Sequence, residues 1–147
     1  MEINFTLNHK AYQLDVDASK RLIDIVRELG YSSVKEGCGE GECGACSLFF
    51  NNKLVNSCLL LAGQIDGATL MTLEGLLKET ETIRQNFASK GAIQCGFCTS
   101  GFELRALDYI QNGGIQDEKL LKEALDGNIC RCTGYQKITD AILESMK

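Results

Sequence analysis

At 147 residues, 44% hydrophobic and 24% charged, the chain has a globular composition and room for one or two small domains. A net charge of −5 argues against the basic face that nucleic-acid binding needs. No apolar run nears the roughly 20 residues that span a bilayer, and Met1-Glu2-Ile3-Asn4 does not open a signal peptide, so a cytoplasmic, non-membrane protein is expected. In a reducing compartment its 8 cysteines point to metal or redox chemistry rather than to disulfides.

Ile3, Phe5 and Leu7 alternate with polar residues over 2–7, and Tyr12, Leu14 and Val16 do so over 11–16. With Asn8-His9 between them, the start reads as a β-hairpin. An amphipathic helix follows over 19–29, burying Leu22, Ile25, Val26 and Leu29 and closing at Gly30. Residues 37–46 form a glycine- and cysteine-rich loop without periodicity. Short strands are expected at 46–50 and 53–58, joined by Asn51-Asn52, and another at 68–72 after the turn Asp66-Gly67. From about residue 80 the pattern is helical: 80–90 with Ile83 and Phe87, 99–112 with Phe102, Ala106, Tyr109 and Ile110, 118–126 after the cap Asp117, and 135–146 with Ile138, Ala141 and Ile142. The fold class is therefore α+β, a small mixed sheet on one helix followed by a four-helix bundle, with domains at 1–76 and 77–147.

Cys38, Cys43, Cys46 and Cys58 are spaced C-x4-C-x2-C-x11-C, and the first three match the plant-type [2Fe–2S] ferredoxin pattern. Gly37, Gly39, Gly41 and Gly44 allow the backbone to close around a small anion, and the fourth ligand, Cys58, is expected on a neighbouring strand. The same stretch fits G-x-G-x-x-G, but no strand precedes it and no helix follows, so a dinucleotide fingerprint is rejected. Zinc is the rival, at an unusual spacing for that ion.

Cys95, Cys98, Cys130 and Cys132 are spaced C-x2-C-x31-C-x-C. On spacing alone this group suits zinc as well as it suits iron–sulfur. Haem attachment is excluded because Thr99 follows Cys98, and Rieske ligation because the chain has only His9. Each pair precedes an expected helix, whose N-terminal N–H groups favour an anionic cluster.

The segments SVKEGCGEGECGACS, LEG at 73–75, GAIQCGFCTSGF and GNICRCTGYQKI together resemble the small iron–sulfur subunit of the molybdenum hydroxylases, the xanthine dehydrogenase and aldehyde oxidase family. The resemblance covers nearly the whole chain. It implies an N-terminal β-grasp, ferredoxin-like domain and a C-terminal helical domain, each with one [2Fe–2S] cluster. It also implies electron transfer from molybdopterin, in its dinucleotide form on a large subunit, to FAD on a medium subunit, within a dimer of heterotrimers. By this resemblance Cys95, Cys98, Cys130 and Cys132 hold the cluster nearer molybdenum, and Cys38, Cys43, Cys46 and Cys58 the one nearer flavin. Gln94 and Cys132 match positions that contact the pterin cofactor. One departure stands out: Thr99-Ser100-Gly101 replaces the common Thr-Pro-Gly, which costs helix pre-organisation but no ligand.

No catalytic residue of substrate chemistry is legible, and the purine-type substrate implied by the xanthine dehydrogenase likeness is a lean only. His9, Glu40 and Glu42 read as solvated. Arg131, between two ligands, either tunes its cluster by charge or faces a partner. A free two-cluster ferredoxin and a structural zinc module are the alternatives to a relay subunit.

Overall fold

The structure, a computed structural model, describes residues 1–147. Strands β1 (Glu2–Leu7) and β2 (Lys10–Asp15) pair antiparallel from Glu2↔Asp15 to Leu7↔Lys10. Asn8 and His9 between them take φ of 51° and 67°. Both lie in the left-handed region that a two-residue type I′ turn demands, so His9 performs as the uncommon partner of Asn8. Helix α1 (Leu22–Glu28) is shorter than expected. The Asp17 carboxylate accepts from both the Ser19 amide and hydroxyl, which holds 17–20 as a turn, and Arg21 stays extended. The helix gives way at Leu29 to Gly30, at φ +94°.

Strands β3 (Ser47–Phe50) and β4 (Lys53–Asn56) form a second hairpin, with Asn51 and Asn52 again at positive φ. Strand β5 (Thr69–Met71) lies parallel to β1 and antiparallel to β3, which gives the order β2-β1-β5-β3-β4. Ile3, Phe5, Leu7, Leu48 and Leu70 on one face of the sheet bury against Leu22, Ile23, Ile25 and Val26 of α1.

Four helices follow: α2 (Glu81–Ser89), α3 (Thr99–Gln111), α4 (Glu118–Ala124) and α5 (Gln136–Ser145). Helix α5 packs on α2 and α4, and α3 packs on α2 and on the outer face of β3 and β4. A second core of Ile83, Phe87, Phe102, Leu104, Leu121, Ile138 and Ile142 also takes in Phe49 from β3. Strand β3 is thus buried on both faces, which is why 46–50 reads as a continuous apolar run rather than as an alternation. One expectation is corrected: β4 stops at Asn56, and Cys58 sits in a single 3-10 turn, Ser57–Leu59, instead of on a strand. No helix is long and apolar enough to cross a membrane.

Candidate metal centres

The loop between Val34 and β3 is closed at its base by the Lys35 amide donating to the Ala45 carbonyl at 3.0 Å. Its far side is tied to β4 by Asn56, whose side-chain amide donates to Gly41 O at 2.9 Å. Inside, the amides of Glu40, Glu42 and Cys43 converge on Cys38 Sγ at 3.4, 3.3 and 3.4 Å, and the Cys38 amide donates to Cys43 Sγ at 3.4 Å. Gly39, Gly41 and Gly44 are at positive φ, whereas Gly37 is not; a Cβ on Gly37 would stand 2.8 Å from Cys43 Sγ. The Glu40 amide, helped by those of Cys43 and Glu42 against burial, pulls the Cys38 thiol down to about 7. Burial, then the neighbouring Cys46 thiol, pushes Cys58 up to about 11.

In the second group, Cys98 is the N-cap residue of α3 and Cys95 lies in the turn before it; Cys130 and Cys132 lie between α4 and α5. The Phe97 amide donates to Cys95 Sγ at 3.5 Å. The Thr133 amide and hydroxyl donate to Cys130 Sγ at 3.4 and 3.0 Å. Burial opposes these bonds, but they and the Cys132 amide outweigh it and hold the Cys130 thiol below its ordinary range. Cys98, by contrast, is pushed up to about 12 by burial and by the neighbouring Cys130 thiol. Tyr135, at φ 72°, starts α5 and accepts a hydrogen bond from the Cys130 amide on its hydroxyl at 3.2 Å. Cys95, Cys98, Cys130 and Cys132 line an apolar cavity of about 160 Å³, together with Phe97 and Cys43 of the first group.

The structure thus brings the expected cysteines into two sets of four, with the thiols of each set near one another. Cys38 interacts with Cys43 and Cys46 with Cys58; Cys98 interacts with Cys130 and Cys95 with Cys132. Four thiols gathered with no histidine or carboxylate among them suit an iron–sulfur cluster held by four thiolates. Buried thiols such as Cys58 and Cys98 ionise readily only when a metal cation replaces the proton, which suits the same donor set.

The two sets are also held together. Ile129, next to Cys130, donates its amide to the Cys43 carbonyl at 3.0 Å. The Ser100 hydroxyl donates to the Ser33 carbonyl at 2.5 Å, and Glu74 accepts from both the amide and the hydroxyl of Ser33. Gly101 and Gly44 meet so closely that a Cβ on Gly101 would stand 2.4 Å from Gly44 O. Buried Asn128 fills the corner beside them. Ser33, Ser100, Asn128 and Tyr135 lie outside the sequence-based candidates. All four fall inside the quoted segments, but their spacing carries no periodic or ligand signal that would single them out. Gln94, Cys95, Arg131 and Cys132 share an exposed edge, away from the sheet's core.

Comparison with known proteins agrees with this geometry. Residues 5–70 match the family described as the 2Fe-2S iron-sulfur cluster binding domain, and residues 72–143 match the [2Fe-2S] binding domain. The chain is 44% identical to the nicotinate dehydrogenase small FeS subunit of Eubacterium barkeri, covering 95% of this chain and 91% of that one. It is 37% identical to the xanthine dehydrogenase iron-sulfur-binding subunit of Escherichia coli O157:H7, over 99% and 94% of the two chains. Among solved structures, a chain of quinoline 2-oxidoreductase from Pseudomonas putida 86 superposes with a TM-score of 0.91 at 34% identity, over 99% of this chain and 93% of that one.

Proposed function

The chain belongs to the iron–sulfur subunit family of the molybdenum hydroxylases, and from that membership we propose how its residues serve the relay. It is an electron-transfer subunit of an oxidoreductase complex with larger partner subunits. In the proposed assignment Cys38, Cys43, Cys46 and Cys58 hold one [2Fe–2S] cluster and Cys95, Cys98, Cys130 and Cys132 the other. The convergence of backbone amides on Cys38 Sγ and the gathering of the other four cysteines around one cavity are the observations that carry it. When bound, the clusters pass single electrons from molybdopterin on a large subunit to FAD on a medium subunit.

The chain's own part is to hold and tune. Amide donors to Cys38 Sγ and Cys130 Sγ stabilise added negative charge and so raise the reduction potential. The apolar cavity wall covers the Cys98 and Cys130 side of the second group, while Cys95 and Cys132 stay exposed. The exposed edge of Gln94, Cys95 and Cys132 is proposed to face the pterin cofactor, with Arg131 beside it. The division at 1–76 and 77–147, the β-grasp description of the first part and the bundle description of α2–α5 belong to the same reading, supported by the two separate cores. A dimer of heterotrimers is the assembly proposed. Nicotinate, xanthine and quinoline are all N-heterocycles, so a substrate of that class is proposed for the complex, with xanthine the first to try.

The test is anaerobic addition of candidate substrates to the purified complex while the cluster absorbance is followed. Bleaching of both clusters supports the relay; reduced flavin with both clusters left oxidised and unreactive contradicts it. In the same complex Gln94→Ala is expected to lower cofactor content or slow the electrons' arrival at the clusters. Unchanged values for both reject the Gln94 contact.

A further inference from the structure

Arg21 lies outside both cysteine groups, yet it touches both ends of the first. Its backbone bridges to Leu61, three residues beyond Cys58, flanked by Leu22 N donating to Leu60 O at 2.7 Å and Ala62 N donating to Lys20 O at 2.8 Å. Its side chain reaches the other end. Nη1 and Nη2 donate to Glu36 Oε1 and Oε2 at 2.5 and 3.2 Å, two residues before Cys38. Nε and Nη2 donate to Asp24 Oδ2 and Oδ1 of α1, both at 2.9 Å. One guanidinium therefore makes two forks and ties the cluster loop to the helix that covers the sheet.

Gly39 sits directly on this clamp. At φ +70° a side chain would be strained, and its Cβ would press on Glu36 Oε1 at 3.2 Å and touch Arg21 Nη1 at 3.8 Å. Gly39 separates Cys38 from Glu40, the residue whose amide points at Cys38 Sγ. The direction of the Glu40, Glu42 and Cys43 amides thus follows from where Glu36 and Gly39 are held. The ion pairs are about a third exposed, so their worth to stability is small, and what they supply is geometry.

We propose that Arg21 is a positioning residue for the first iron–sulfur centre, holding the loop so that its amides face Cys38 and thereby setting that centre's reduction potential. This rests on the first cysteine group holding a cluster. Two effects can be separated by sign. If the forks matter, Arg21→Lys, which keeps the charge but cannot make them, loosens the amides and lowers the potential. Glu36→Gln also breaks a fork and lowers it. If only charge matters, Arg21→Lys leaves the potential unchanged and Glu36→Gln, which removes a negative charge, raises it.

The experiment is an EPR-monitored redox titration of the assembled, cluster-loaded complex, with Gly39→Ala identifying which signal belongs to the first group. Both Arg21→Lys and Glu36→Gln are expected to shift the electron distribution between the clusters about tenfold away from the first, a fall of about 59 mV for one electron. The second signal stays in place and reports that the fold is intact. Iron release to a chelator from the first group is expected to quicken several-fold in both variants. A raised potential in Glu36→Gln, no shift in either variant, or movement of the other signal overturns the proposal. Wild-type complex lacking the first signal and its iron instead rejects the assignment of the site itself.

Discussion

Gly101 of α3 and Gly44 of the ferredoxin loop meet backbone to backbone, with Asn128 against both. A methyl on Gly101 would lie 2.4 Å from a carbonyl oxygen, and backbone cannot swing aside as a flexible side chain can. Gly101→Ala is expected to destabilise the chain by about 2–3 kcal/mol, seen as a lower melting temperature, and to reduce iron retained in both centres. Glu103, one turn into α3, is buried at 3% exposure. Burial, partly offset by Arg84, pushes its carboxyl from 4.5 to about 7. A raised folded-state value means the native chain binds the extra proton, so stability falls as pH rises from about 4.5 to about 7 and stays lost above, on the order of 3 kcal/mol. Glu103→Gln removes the titration. Its melting temperature should gain on that of the wild type from about pH 4.5 to about pH 7 and keep a steady lead above that. A constant difference from about pH 4.5 to about pH 7 contradicts the assignment. The first four ligand candidates stood out by their spacing and glycine content, the second four only by the family resemblance. Asn128, Ser100 and Arg21 did not stand out, because their roles arise only where distant segments meet.

At the scale of elements, local chemistry decided most boundaries. Asn8-His9 and Asn51-Asn52 both make turns with positive φ, and Gly30 ends α1 as its type suggests. Asp117 accepts from the Leu120 amide at 2.9 Å and caps α4, a helix of only 7 residues. Asp117→Ala is expected to cost about 1 kcal/mol in a denaturant titration. A cost near zero would mean that packing on α5 alone holds α4. Where tertiary contacts rule, the sequence misleads: Cys58 follows a run that reads as strand, yet the Leu60 amide donates back to Ser57 O at 3.4 Å and turns 57–59 out of it. Ser100 is a second case. Read as the loss of a proline, it proves to be a hydroxyl bonded to Ser33 O, and so a link between α3 and the ferredoxin loop. Ser100→Ala is expected to destabilise by about 1 kcal/mol, while proline, which suits the first turn but lacks the hydroxyl, recovers only part of that.

For the whole molecule, the two cores meet through β3, whose Phe49 belongs to the helical core while Leu48 belongs to that of the sheet. Cys43 of the first group lines the cavity of the second, and its carbonyl accepts from the Ile129 amide, so neither half is a free-standing bead on a linker. In the proposed reading that architecture holds two clusters in fixed relation within one small chain, and it depends on four thiolates for each. The most direct test is metal and sulfide analysis of the isolated complex, with low-temperature EPR after dithionite reduction. About four irons and four acid-labile sulfides per chain of this subunit, with two distinct spin-half signals from it, are the predicted result. Zinc in place of iron, or a single signal with about two irons per chain, would contradict the account.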